Sequence, residues 1–241
     1  MNATLKPLER GSDEHMLDVT RLDRGDTVVR AHPFPFLIAT RQLPDECALD
    51  FARDFPRYPS AGFFPHDAKD CGPSINRLVE QLVSSDLADA IGARLGLPDL
   101  ASHPSLVTIC RSLNLRHGTI QTDSRSKIAT ALLYLNDDWP PISEGCLRFL
   151  ERIDDIDALV IDEVRPIYGT LAAFRRADNS FHGHLPHEGE RRVIQVAWLT
   201  SEAEKLRKTR RGKFSRLFKK LFGAVDRRLG SDRDRSAAHK D

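Results

Sequence analysis

The chain has 241 residues, 40% hydrophobic and 29% charged, enough to bury one sizeable core. No apolar run approaches the length of a membrane span, and the charged opening residues lack the apolar stretch of a secretory signal, so a cytoplasmic protein is expected. Cys47, Cys71, Cys110 and Cys146 are widely spaced with no C-x-x-C pair, which argues for ordinary thiols and against a disulfide scaffold or zinc site.

The net charge of +1 hides an asymmetry: residues 201–241 hold 14 Lys or Arg against 6 Asp or Glu, whereas the preceding 200 hold 22 against 29. An acidic body followed by a basic tail suggests that the tail has its own role or partner. Three segments are expected: a flexible leader over 1–30, a single domain over 31–200 and a basic helical tail over 201–241.

In chain order, residues 1–30 are polar with little periodicity. The run from His32 to Ile38 reads as a strand with its prolines at the start, where a missing N–H is tolerated. A short helix begins near Leu43-Pro44-Asp45-Glu46 and stops at Pro56, and residues 57–72 read as a loop. Ile75, Leu78, Val79, Leu82, Val83 and Leu87 form a helical apolar stripe, broken near Ser84-Ser85-Asp86, with Ser85 or Asp86 capping the second helix. From residue 105 the pattern turns to strands: the apolar run from Ile128 to Leu135, closed by Asn136-Asp137-Asp138, and shorter runs over 145–150, 169–174 and 192–199. Short strands at such spacing predict a barrel or sandwich covered on one face by the preceding helices.

Several motifs in this half occur in a recognisable order: Gln121-Thr122-Asp123-Ser124, Tyr134-Leu135-Asn136, Gly145-Cys146-Leu147, Gly169, Phe174, Ser180-Phe181-His182-Gly183-His184, and Arg191-Arg192 running to Trp198. Together, over roughly residues 105–199, they resemble the core of the Fe(II)- and 2-oxoglutarate-dependent dioxygenases, in their prolyl-4-hydroxylase-like branch. The resemblance implies a mainly-β fold, a double-stranded β-helix (jelly roll) core with N-terminal helical support. It also implies hydroxylation of an unidentified substrate, a small molecule or a protein side chain, with Fe(II) and 2-oxoglutarate.

In that family a His-x-Asp pair and a distant histidine hold the iron on one face of an octahedron. Asp123 matches the carboxylate and His182 the distal histidine, but the first position holds Gln121, which offers only a neutral amide oxygen. Two readings stay open: an active oxygenase that uses or replaces Gln121, and a degenerate relative acting as a binding or regulatory module. His117 is the nearest replacement, yet in a strand it would lie about 13 Å from Gln121, so rescue requires a turn at Gly118-Thr119.

The resemblance also implies an arginine and a tyrosine for the distal carboxylate of 2-oxoglutarate. Arg192 has the family's spacing, ten residues past His182 and six before Trp198; Arg191 is one off, and strand alternation sends the two arginines to opposite faces. Tyr134 is the candidate hydroxyl donor or a core residue, and Lys127 a cation at the mouth or a solvated lysine. His184 is a group behind the metal ligands, a substrate contact or a surface residue. Glu144 stands where the family has glycine.

In the tail, Phe214, Leu217, Phe218, Leu221, Phe222, Val225 and Leu229 recur at steps of three and four among lysines and arginines. A basic amphipathic helix over 205–229 could pack on its own domain, dock on a protein partner or lie on an anionic membrane surface, leaving the protein cytoplasmic but peripheral to a membrane. Nucleic acid is not expected, since no recognised binding module accompanies the helix.

Overall fold

The computed structural model describes residues 16–222, with side chains as far as residue 212. Strand β1 (Val28–Arg30) pairs antiparallel with β2 (Phe36–Ala39). Residues 16–30, expected as part of a leader, belong to the fold: Met16, Leu17 and Leu22 are buried in its core. A 3-10 turn over Asp45–Cys47 leads into helix α1 (Ala48–Asp54). The loop expected over 57–72 contains a short strand, β3 (Phe63–Pro65).

Helices α2 (Pro73–Leu82) and α3 (Ser85–Leu95) follow the apolar stripe. Pro73 occupies the first turn of α2, where its missing N–H leaves nothing unsatisfied. The cap of α3 is Ser84, one residue before the expected pair; its hydroxyl accepts the N–H of Leu87. Gly96 ends the helix at φ +68, a left-handed conformation glycine adopts without strain.

The remaining strands are β4 (Ser105–Leu113), β5 (Lys127–Tyr134), β6 (Arg148–Phe149), β7 (Leu171–Arg175), β8 (His182–Gly183) and β9 (Gly189–Leu199), after which comes helix α4 (Glu202–Phe222). Seven strands form one antiparallel sheet in the order β1-β2-β7-β5-β9-β4-β3. Alternation along β5 separates two cores. Ala129, Ala131, Leu133 and Leu135 face α1–α3, where Phe51, Ile75, Leu78 and Ile91 are buried. Leu132 and Tyr134 face the opposite way and pack with Phe36, Phe174 and Val193 under a second layer carrying Leu147, Phe149 and Val164.

The expectation of a mainly-β double-stranded β-helix is overturned. The fold is mixed α/β: helices hold a share of the chain comparable to strands, and the seven-stranded sheet is open, with β1 and β3 at its edges unpaired with each other. Among the described residues the ladder of the second layer is that of β6 and β8, two residues each. Residues that would have to close a barrel include Pro140, Pro141, Pro166 and Pro186, which have no N–H to give to a ladder. They contribute isolated bridges, such as Leu147 with Val164 and Leu150 with Leu159.

Helix α4 starts twelve residues before the expected stripe and lies against β3, β4 and β9. Its approach to the edge is close: a Cβ on Gly212 would come within 2.5 Å of the Pro65 ring. The side chains of Phe214, Leu217, Phe218, Leu221 and Phe222 lie beyond those described, and Val225 and Leu229 lie outside the described residues. Among the described residues no helix is long and apolar enough to cross a membrane.

Phe149 holds the two layers together, with ring centroids 4.6 Å from Phe36 and 5.6 Å from both Phe34 and Phe174. Phe149→Ala is expected to destabilise the chain by about 3–5 kcal/mol in urea denaturation, whereas Ile153→Ala on the surface changes stability by less than about 0.5 kcal/mol. Similar losses for the two would mean that the second layer is not packed as described.

Candidate functional site

Gln121 and His182 form an antiparallel bridge and exchange both backbone hydrogen bonds, at 2.9 and 3.0 Å. Residues opposed in this way send their side chains to the same side of the ladder. Asp123 follows two residues on, close enough for its charge to act on the His182 imidazole. The structure therefore brings together the three residues that the family pattern aligns with metal ligands. Asp123 and His182 are buried, while Gln121 is exposed.

Each buried group has its own support. The Asp123 carboxylate accepts from Lys127 Nζ at 2.6 Å and from Thr130 Oγ1 at 2.5 Å. Burial works against its charge, but Lys127, His182 and these two hydrogen bonds outweigh that effect and hold the carboxyl below its ordinary pKa. Burial pushes the His182 pKa down, opposed by Asp123 and the Ser180 carbonyl. A neutral imidazole donates through Nδ1 to that carbonyl at 2.9 Å, which leaves Nε2 as the free lone pair, and the ring packs against Phe174 at 4.5 Å.

These residues do not make a complete iron site. Among the described residues no group of three His, Cys, Asp or Glu side chains is placed to hold a metal. Both Asp123 oxygens are engaged, one by a cation, and the third position offers an amide. His117 does not replace it: the ring turns back to the backbone of Asn114 and neighbours His184. Lys127, read from the sequence as a cation at the mouth or a solvated lysine, is the counter-charge of Asp123.

Four residues along the same face of β5, the Tyr134 hydroxyl accepts from Arg191 Nη2 at 3.2 Å, and Arg191 Nε donates to the Gly145 carbonyl at 2.7 Å. Arg191 is 3% exposed and, among the described residues, no carboxylate forms an ion pair with it. Burial raises the Tyr134 pKa, against the pull of Arg191, so the hydroxyl keeps its proton at neutral pH. Arg192, which has the family's spacing, points the other way and pairs with Asp137 at 3.0 Å and with Glu190. Asn136 fixes this end of the sheet by bonding the backbone of Arg192 on both sides.

His184 borders the arginine. Burial first, then the charge of Arg191, pushes its pKa down to about 4, so the ring is neutral at physiological pH. Thr130 was not among the residues expected from the sequence, although a threonine inside an otherwise apolar strand on Tyr134's face is a legible signal. Nor was Lys208, which reaches from α4 to Ser124 at 3.0 Å and leaves no local trace in the sequence.

Residues 113–200 match the family model of the 2OG-Fe(II) oxygenase superfamily. No curated protein sequence matches the chain. Among solved structures, a prolyl 4-hydroxylase from Phytophthora capsici is 18% identical with a TM-score of 0.50, covering 89% of this chain and 82% of its own. A Pseudomonas putida prolyl-4-hydroxylase is 19% identical with a TM-score of 0.48, covering 69% of this chain and 92% of its own.

Removing Lys127 leaves Asp123 as a buried charge without its ion partner. Lys127→Met is expected to lower stability at pH 7 by about 3 kcal/mol. The wild-type pair stabilises above the ordinary carboxylate pKa and loses its effect as pH falls through the depressed folded value. In the variant the orphaned carboxyl takes up a proton earlier, so the difference shrinks toward pH 4. Urea denaturation at both pH values checks this, and an equal difference at both contradicts it.

Proposed function

We propose that this chain binds a small dicarboxylate of the 2-oxoglutarate type between its two sheets and, with its iron site incomplete, serves as a binding or regulatory member of the superfamily. The observation that carries this reading is Arg191, a buried guanidinium facing a tyrosine hydroxyl and a carbonyl but no acidic side chain among the described residues. Keeping such a cation out of water costs several kcal/mol. A ligand carboxylate would offset that cost, and the planar guanidinium suits it geometrically. The Tyr134 oxygen already accepts from Arg191, so its own proton is free to donate to the same carboxylate.

At the other end of β5, Lys127 supplies Asp123 with the positive charge that a metal would otherwise provide, and the donor set is one imidazole short of two histidines and a carboxylate. A second reading, a working hydroxylase acting on a small molecule or protein side chain, is favoured by the direct pairing of Gln121 with His182. That register supports an amide oxygen as the third donor.

The experiment pairs thermal unfolding with anaerobic Fe(II) titration. Without metal, 2-oxoglutarate at about 100 times its dissociation constant should stabilise the wild type by about 2.7 kcal/mol. The effect should vanish in Arg191→Gln and survive in Arg192→Gln. With Fe(II) added, the metal-to-ligand charge-transfer band is expected in Gln121→His only. Failure of 2-oxoglutarate to protect any variant sinks the dicarboxylate reading. A wild-type band that disappears in His182→Ala establishes the hydroxylase instead.

A further inference from the structure

Helix α4 docks by one side. Gly212 lies against the Pro65 ring, Lys208 reaches Ser124, and Lys205 and Thr209 are half-buried with them. Ala203, Leu206, Arg207, Arg210 and Arg211 are exposed, and Leu206 keeps 55% of its surface in water. At 3.6 residues per turn these two sets occupy opposite sides of the helix, one toward the edge of the sheet and one away from it.

The helix runs without a break to Phe222, and positions seven residues apart keep the same side, drifting by only about 20°. Positions 214, 217 and 218 follow the exposed Arg207, Arg210 and Arg211 by seven residues, and position 221 follows 214. Positions 216 and 219 follow the docked Thr209 and Gly212 in the same way. The stripe of Phe214, Leu217, Phe218 and Leu221 therefore continues the side of α4 that the sheet edge leaves uncovered, while Arg216 and Lys219 continue the docked side. This register argues against the stripe being the means by which the helix packs on its own domain.

Charge selects what covers it. Residues 205–222 hold nine Lys or Arg and no Asp or Glu, and the acidic partners of the helix, Glu202 and Glu204, precede that stretch. A second copy of the helix laid on the stripe would bring like charges together. A nucleic acid would answer the charge but leave the apolar stripe in water. An anionic lipid surface answers both, taking apolar groups at the headgroup–acyl boundary and basic groups among the headgroups. We propose that α4 seats this chain on an anionic membrane surface, with the stripe over 214–222 in the interface and Arg210 and Arg211 beside it on the headgroups. The helix lies on the bilayer and does not cross it. This seat is independent of any ligand at Arg191, whose guanidinium is held inside the fold between Tyr134 and Gly145.

The test is co-sedimentation of the full chain with phosphatidylcholine vesicles prepared with and without phosphatidylserine. Binding should be about tenfold or more tighter with phosphatidylserine and should weaken as salt is raised. Phe214→Ser combined with Phe218→Ser, which keeps every charge, should weaken it by about tenfold or more, as should Lys219→Gln combined with Lys220→Gln. Melting temperatures equal to wild type show that these variants remain folded. A readout that needs no loss of binding is Phe218→Trp: the chain's own Trp139 and Trp198 are buried, so a blue shift of emission on anionic vesicles reports the stripe entering lipid. The seat is overturned if anionic vesicles hold the chain no better than neutral ones, if the double phenylalanine variant binds as wild type does, or if the Phe218→Trp emission does not move. A dimer that the phenylalanine substitutions abolish, or retention of duplex DNA, in place of vesicle binding also overturns it. Arg191→Gln should bind vesicles as wild type does, so loss of 2-oxoglutarate protection counts against the Arg191 pocket alone.

Discussion

A charge taken out of water needs an opposite charge or a full set of hydrogen bonds, and the interior of this protein is arranged around that requirement. Arg148, buried under the second layer, meets it with Asp157 and Glu163, and in doing so pins the acidic stretch 151–163 to the strand that carries Phe149. Asp123 meets it with Lys127 and Thr130. Arg191 meets it only in part, with a phenol and a carbonyl. The contrast within one core gives the arginine its meaning: the same chain that neutralises its other buried charges leaves this one open.

Gln121 is best understood together with Lys127. A carboxylate beside a neutral imidazole and an amide has no cation of its own, and in the absence of metal it would be a buried uncompensated charge. The lysine four residues later removes that difficulty and lets the ladder between residue 121 and His182 form without a bound ion. Stability and metal affinity are then in competition at one carboxylate, because an ion entering the site must displace an ammonium already hydrogen-bonded there.

Much of the layout was legible in the sequence because it rests on local periodicity. The α2 and α3 stripe, the apolar β5 and the ends of β7 and β9 follow from alternation that needs no tertiary information. Strands β1 and β3 were not legible: each is three residues long and made by pairing rather than by propensity. Closure of the sheet was misjudged because apolar runs such as 145–150 look like strands wherever they fall, whereas a ladder also needs an uninterrupted partner. Spacing from His182 and Trp198 selected Arg192, but the inward face of β9 at that end is set by pairing with β5, and it carries Arg191. The Lys208 contact depends on how α4 docks, which no local pattern encodes.

An open sheet, unlike a closed one, ends in two strands whose outer backbone groups can recruit another chain. The two ends here are not equivalent. At one, β3 contains Pro65, which has no N–H to offer, and Gly212 brings α4 against that same ring. At the other, β1 carries half-exposed Val29 and ends at the exposed Arg30, and no helix is packed along it among the described residues. Any growth of the sheet by strand addition, whether a second copy in register or a peptide laid alongside, is thereby directed to one side of the molecule, and the side that bears Lys208 is kept free of it.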